Sequence, residues 1–132
     1  MNLAALDTIY RAPGPDRVQQ LNAGINAAVF AALAATINVS AATLAVSLGL
    51  SPRTLRNRTR RLTADETERS FRVYRVLRRA TDVLGDAGSA KAWMNTPQRA
   101  LGEKTPLSLL VRDVGTEDVL NVLGAIEDGG YL

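Results

Sequence analysis

The sequence contains neither cysteine nor histidine. Without cysteine there are no disulfides, thiol nucleophiles or thiolate metal sites. Without histidine, the side chain most often used as a general base near neutral pH is missing. The acids are scattered through helix starts and loops, not gathered as a carboxylate site requires. This inventory points away from an enzyme and from any cofactor or metal. No apolar run approaches the roughly 20 residues of a membrane span, and Met1-Asn2-Leu3-Ala4 lacks the basic-then-apolar layout of a secretion signal. The expectation is a cytoplasmic chain with no membrane role. Aromatic residues are sparse, with a single tryptophan, and β-branched residues never alternate over a long stretch, so strand signals are nearly missing.

What is present is apolar residues at helical spacing, interrupted by frequent caps and breakers, which predicts an all-α, compact multi-helix protein. A short helix from Leu3 to Arg11 is ended by Pro13-Gly14-Pro15. Asp16 is expected to cap a second helix running to Gly24, and Asn26 a third, alanine-rich one carrying Val29, Phe30, Leu33 and Ile37. Ser40 caps a helix from Ala41 to Leu48 that Gly49 closes, and Ser51-Pro52 opens the next. Thr63 and Glu66 form a capping box for a long helix to Leu84, with Val73, Val76, Leu77, Ala80, Val83 and Leu84 along one stripe. After Ser89 come three short helices, Ala90 to Asn95 and two begun by Thr96-Pro97 and Thr105-Pro106. Thr116 is then expected to cap a last helix from Glu117 to Asp128. The expected division is an N-terminal part, residues 1–84, and a C-terminal part, residues 85–132.

Charge is distributed unevenly. Residues 40–84 hold ten arginines against four acids, whereas residues 85–132 hold four cations against seven acids. Two surfaces of opposite sign suit two kinds of partner, the basic one nucleic acid. Within the basic part, Ala41 to Arg58 has the spacing of a helix-turn-helix, the whole motif extending over 41–62 and the connecting helix over 64–84. Ala45 sits at the helix crossing, Gly49 takes the left-handed turn, and Leu44, Leu48, Leu50 and Leu55 fill the space between. Projected on a helix with Leu55 inward, Thr59 and Leu62 also face in while Arg53, Asn57, Arg60 and Arg61 face out. Ser51 begins this recognition helix. Arg53, Thr54, Arg56 and Asn57 are the candidates for base edges, since arginine can donate twice to guanine and asparagine can pair twice with adenine. Arg60 and Arg61 are the candidates for phosphates. A second row, Arg69, Arg72, Arg75 and Arg79, either extends the phosphate surface, pairs with acids of a partner protein or is a solvated face.

The C-terminal part carries a run of motifs: Ala92-Trp93-Met94, Thr96-Pro97, Ala100-Leu101-Gly102, Thr105-Pro106-Leu107-Ser108-Leu109-Leu110, then Gly115, Val119, Leu123-Gly124 and Gly129-Gly130-Tyr131. This run resembles the toxin-binding domain of the Xre/MbcA/ParS-like antitoxins, and Ser51 to Leu55 with the Arg69 to Arg79 region resembles their Xre-type half, so the likeness covers residues 16–132. Trp93 reads as a core anchor, and Gly102 and Gly115 as turn formers. The resemblance implies an antitoxin of a type II toxin-antitoxin system. Its partner would be a RES-type toxin that consumes NAD, whose active-site entrance the C-terminal helix and tail would cover. Glu127, Asp128, Gly129, Gly130, Tyr131 and Leu132 are the residues so implicated, and a carboxylate-rich edge suits a cation-lined nucleotide cleft. The DNA-binding half would repress its own operon as a homodimer on double-stranded operator DNA, because helix-turn-helix proteins commonly read paired half-sites. The alternative is a stand-alone helix-turn-helix regulator whose C-terminal part serves dimerisation or effector binding.

Overall fold

The computed structural model describes residues 2–129. It contains seven α-helices: α1 (Ala4–Arg11), α2 (Gly14–Ala23), α3 (Ala27–Thr36), α4 (Ala41–Ser47), α5 (Ala64–Leu84), α6 (Ala87–Met94) and α7 (Asp113–Glu127). Single 3-10 turns lie at Pro52–Leu55, Arg99–Leu101 and Leu107–Leu109. Among the described residues there is no strand, only the isolated bridges Asn26 with Arg61 and Gln98 with Lys104, so the all-α reading holds. No single helix among them is long and apolar enough to cross a membrane. The chain packs as two compact units, Met1–Phe71 and Arg72–Leu132, the division falling inside α5.

In the first unit Leu6 and Ile9 of α1, Phe30 and Leu33 of α3, Ile37, Leu44 of α4 and Leu48 are fully buried. Each such side chain removed from water contributes roughly 1.5–3 kcal/mol. α1 ends in carbonyls that need donors, and Arg17 supplies them: Nε donates to the Ile9 carbonyl at 3.2 Å and Nη2 to those of Tyr10 and Ala12 at 2.9 and 3.2 Å. A cation there also complements the helix dipole. Asp16 is not the cap of α2, which begins earlier, at Gly14, with Pro15 in its first turn, where a missing amide costs little. Ser40 does cap α4, its Oγ accepting from the Thr43 amide at 3.0 Å, and Gly49 takes φ +73°. The capping box of α5 closes as predicted, with Thr63 N–H donating to Glu66 Oε1 at 2.9 Å and Glu66 N–H to Thr63 Oγ1 at 3.2 Å.

α3 departs from expectation at its start. The Asn26 side chain accepts no capping bond. Instead the Ala27 and Ala28 amides donate to the carbonyls of Arg60 and Arg58, at 2.8 and 3.1 Å, and Leu62 N–H donates to the Ile25 carbonyl at 2.8 Å. Orphan donors at a helix start must find acceptors, and here a segment thirty or more residues downstream provides them. The buried Thr67 hydroxyl accepts from the Ile25 amide at 3.2 Å and completes the arrangement.

In the second unit Val73, Val76 and Ala80 of α5 are fully buried, as are Met94, Leu110, Val119 and Leu123. Met94, not Trp93, is the interior anchor of α6; Trp93 is half-buried. α6 starts at Ala87 because Asp86 caps it, accepting from Ser89 N–H at 2.8 Å and Ser89 Oγ at 2.9 Å. α7 likewise begins at Asp113, a turn before the expected cap. Thr116 therefore lies inside the helix, buried, with its hydroxyl donating to the Arg112 carbonyl at 3.0 Å. Gly115 is helical and not a turn former. A Cβ there would overlap the Leu109 carbonyl, so its role is to let the Leu107–Leu109 turn press against α7.

Candidate functional site

The expected recognition helix is the main correction. Only Pro52–Leu55 is helical, as one 3-10 turn, and the chain then turns through Thr59 to the bridge at Arg61. A continued helix would need the Arg58 and Arg60 carbonyls for its own amides, and they are bonded to the start of α3. Asn57 adds a local competitor, its Oδ1 accepting from Thr59 N–H at 3.1 Å and Thr59 Oγ1 at 2.8 Å. The helical projection consequently fails beyond Leu55. Buried Leu55 anchors the turn, and the Ser51 carbonyl accepts from Thr54 N–H and Oγ1, at 3.1 and 2.8 Å.

Around this anchor Ser51, Arg53, Arg56, Asn57 and Arg58 are exposed and Thr54 is half-buried. Arg53, Arg56 and Arg58 have no side-chain partner among the described residues. Arg60 and Arg61 are differently placed. Arg60 Nη2 donates to Glu66 Oε1 at 3.2 Å while its buried Nη1 has no partner among the described residues, and Arg61 Nη1 donates to the Gly24 carbonyl at 2.8 Å. The structure thus gathers three unengaged guanidinium groups on one short turn and ties the other two into the fold.

Glu66 joins the cap to this segment. Partial burial pushes its carboxyl up, but hydrogen bonds from Thr63 and Arg60, with the Arg60 charge, outweigh it and hold the group below the usual carboxylate range. A folded-state value below the unfolded one adds stability at pH above the unfolded value, about 4.3, and loses it as pH falls further. Glu66→Gln should therefore lower stability at neutral pH by about 1 kcal/mol and flatten the loss of stability between about pH 5 and pH 3. Urea unfolding across that range measures both, and an unchanged acid limb would show that Glu66 is not the group responsible.

The arginine row of α5 is largely internal stitching, which sequence spacing did not reveal. Arg69 Nη1 donates to the Leu48 carbonyl at 3.0 Å, closing the end of α4, and the side chain pairs with Asp65 at 3.0 Å. Arg72, with its side chain only 13% exposed, donates to the Val111 carbonyl at 3.0 Å and pairs with Asp113 at 2.5 Å. Arg78 lies over the Tyr74 ring, 5.9 Å from its centroid. Arg79 grips Glu127 with two bonds of 2.6 and 3.0 Å. Arg75 alone of the predicted row is exposed without a partner among the described residues.

Of the C-terminal candidates, Glu127, Asp128 and Gly129 are described, and Gly130, Tyr131 and Leu132 lie outside the described residues. Glu127 is held below its ordinary carboxylate range by the hydrogen bonds and charge of Arg79. Its charge is already matched, so on α7 and its C-cap Glu117, Asp118 and Asp128 are the exposed carboxylates without an ion pair among the described residues. Gly129, at φ +72°, donates to the Ile126 carbonyl and ends α7.

Residues 79–129 match the family model of the antitoxin Xre/MbcA/ParS C-terminal toxin-binding domain, and residues 16–75 that of the antitoxin Xre-like helix-turn-helix domain. Similar curated proteins include the antitoxin Xre of Yersinia enterocolitica, 34% identical over 118 residues that cover 86% of this chain and 80% of that one. The antitoxin Xre of Photorhabdus laumondii is 44% identical over 70 residues, 52% of this chain and 47% of its own length. That of Pseudomonas putida is 38% identical over 80 residues, 58% and 50% of the two.

Proposed function

Because the chain belongs to the Xre antitoxin family, we propose that it neutralises a RES-type, NAD-consuming toxin with its C-terminal part and represses its own operon with its N-terminal part. The observation that carries this reading is the match of 79–129 to a toxin-binding domain, joined in one chain to a helix-turn-helix match that holds the unpaired arginines. In this reading residues 1–84 bind double-stranded operator DNA as a homodimer, and residues 85–132 bind the toxin. Ser51, Arg53, Thr54, Arg56 and Asn57 meet base edges, while Arg60 and Arg61 serve mainly to hold the reading turn in place. The end of α7 and the tail, Glu127 to Leu132, cover the toxin's active-site entrance, with Glu127 set by Arg79. The chain itself does no chemistry; it acts by occupying two partners.

The test is co-expression with the adjacent reading frame, followed by pull-down and measurement of cellular NAD. The expected result is a stable complex and preserved NAD, with toxicity returning when the antitoxin is withdrawn. Deleting residues 129–132 should weaken toxin binding about tenfold and leave operator binding intact, since chain ends are where truncation is best tolerated. A complex that never forms would remove the toxin half of the proposal and favour the stand-alone regulator. NAD that is equally stable without the antitoxin would remove the assigned toxin chemistry.

A further inference from the structure

The second unit contains a groove of about 540 Å³ between the Arg99–Leu101 and Leu107–Leu109 turns and α7. Its apolar surface comes from buried Leu101 and half-buried Leu109 and Val122, and its polar groups are Lys104 on one wall and Asp118 and Asn121 on α7. The groove is built with some cost. Glu103, beside Lys104, has φ +63°, a left-handed conformation that side chains resist by about 1 kcal/mol or more. It is held there by Gln98, whose amide donates to the Lys104 carbonyl at 3.0 Å and whose carbonyl accepts from Glu103 at 2.9 Å. The opposite wall is fixed by Gly115, where the Leu109 backbone touches α7 more closely than any side chain would permit. Every groove residue falls within 79–129, the span matching the toxin-binding domain.

From this we propose that the groove is a second grip on the toxin, separate from the tail, and rests on the toxin reading above. Its occupant is an extended toxin segment that inserts one aliphatic side chain between Leu101, Leu109 and Val122. An acid of that segment meets Lys104, and a basic side chain on its other side meets Asp118, with Asn121 bonding its main chain. A preformed, strained wall favours binding because little ordering is left to be done on association.

The experiment titrates the purified product of the adjacent reading frame against the full chain and its variants. Asn121→Trp, at an exposed helix position, fills the groove and should raise the toxin Kd at least tenfold while melting and operator binding stay as in the parent. Asp118→Lys, also exposed, should raise it several-fold with the same controls, and serves if the tryptophan variant does not fold. A chain lacking residues 129–132 should still bind, and adding Asn121→Trp to it should abolish measurable binding. Parent-like toxin affinity in the Asn121→Trp and Asp118→Lys variants would overturn the groove while leaving the antitoxin reading standing. If the unmodified chain itself fails to bind, the antitoxin reading falls and the groove with it.

Discussion

Replacing Arg53 and Arg56 together by alanine is expected to lower the preference for operator over random DNA by about a hundredfold, because each well-made bidentate base contact discriminates by roughly 1–3 kcal/mol. Melting should not change. Both side chains are exposed and without partners among the described residues, so their loss leaves no buried group unsatisfied. Toxin binding should also be unchanged. The neighbouring positions make the comparison informative. Arg61→Ala removes a bond to the Gly24 carbonyl and should cost about 1 kcal/mol of stability, with little effect on sequence preference. Asn57 is restricted as well: Thr59 occupies its Oδ1 twice, so only its amide donors face outward, and the paired donor-acceptor contact with adenine is blocked unless the turn opens. Asn57→Ala should thus loosen the turn as much as it alters reading. Quantitative footprinting in competition with random DNA measures the preference. A double variant that footprints like the parent would show that this turn does not enter the groove.

The features legible in the sequence are those that local chemistry decides. Ser40, Gly49 and the Thr63–Glu66 box work as their spacing implied, because an N-cap, a left-handed glycine and a capping box need only neighbours three residues away. The reading failed where distant groups compete for the same hydrogen bonds. Ser51-Pro52 is a good helix start, yet the helix stops at Leu55 because the start of α3 takes the Arg58 and Arg60 carbonyls. The same bonds displace Asn26 as a cap. Arg69, Arg72 and Arg79 looked like a solvent or partner face because spacing cannot tell a free guanidinium from one donating to a remote carbonyl or carboxylate. Asp86 was findable: an acid just before Ala87 is itself a capping signal, and its bond from the Ser89 amide starts the helix ahead of the expected Ala90. The candidate site was thus legible as a set of residue types, but its division into unengaged Arg53 and Arg56 and engaged Arg60 and Arg61 was not, nor was the place of Arg58 beside the first pair.

Gly115→Ala is expected to destabilise the protein by about 2 kcal/mol, against the trend for glycines in helices. Alanine in a helix interior is ordinarily favoured over glycine by roughly 1 kcal/mol, and that gain applies here too. The new Cβ, however, would overlap the Leu109 carbonyl, which is backbone and cannot rotate away as a side chain would. Either α7 shifts or the Leu107–Leu109 turn lifts off it, and overpacking of this kind costs typically 1–3 kcal/mol or somewhat more when main chain must move. Gly124, in the same helix with nothing near its absent Cβ, supplies the control. Gly124→Ala should raise stability by about 0.5–1 kcal/mol through propensity alone. Thermal melts of the two variants should therefore move in opposite directions. Because Leu109 is also a wall of the groove, Gly115→Ala should weaken toxin binding beyond its effect on folding, whereas Gly124→Ala should not. Two alanines that shift the melt alike would mean that propensity outweighs the close contact, and that the wall between the turn and α7 is softer than its geometry implies.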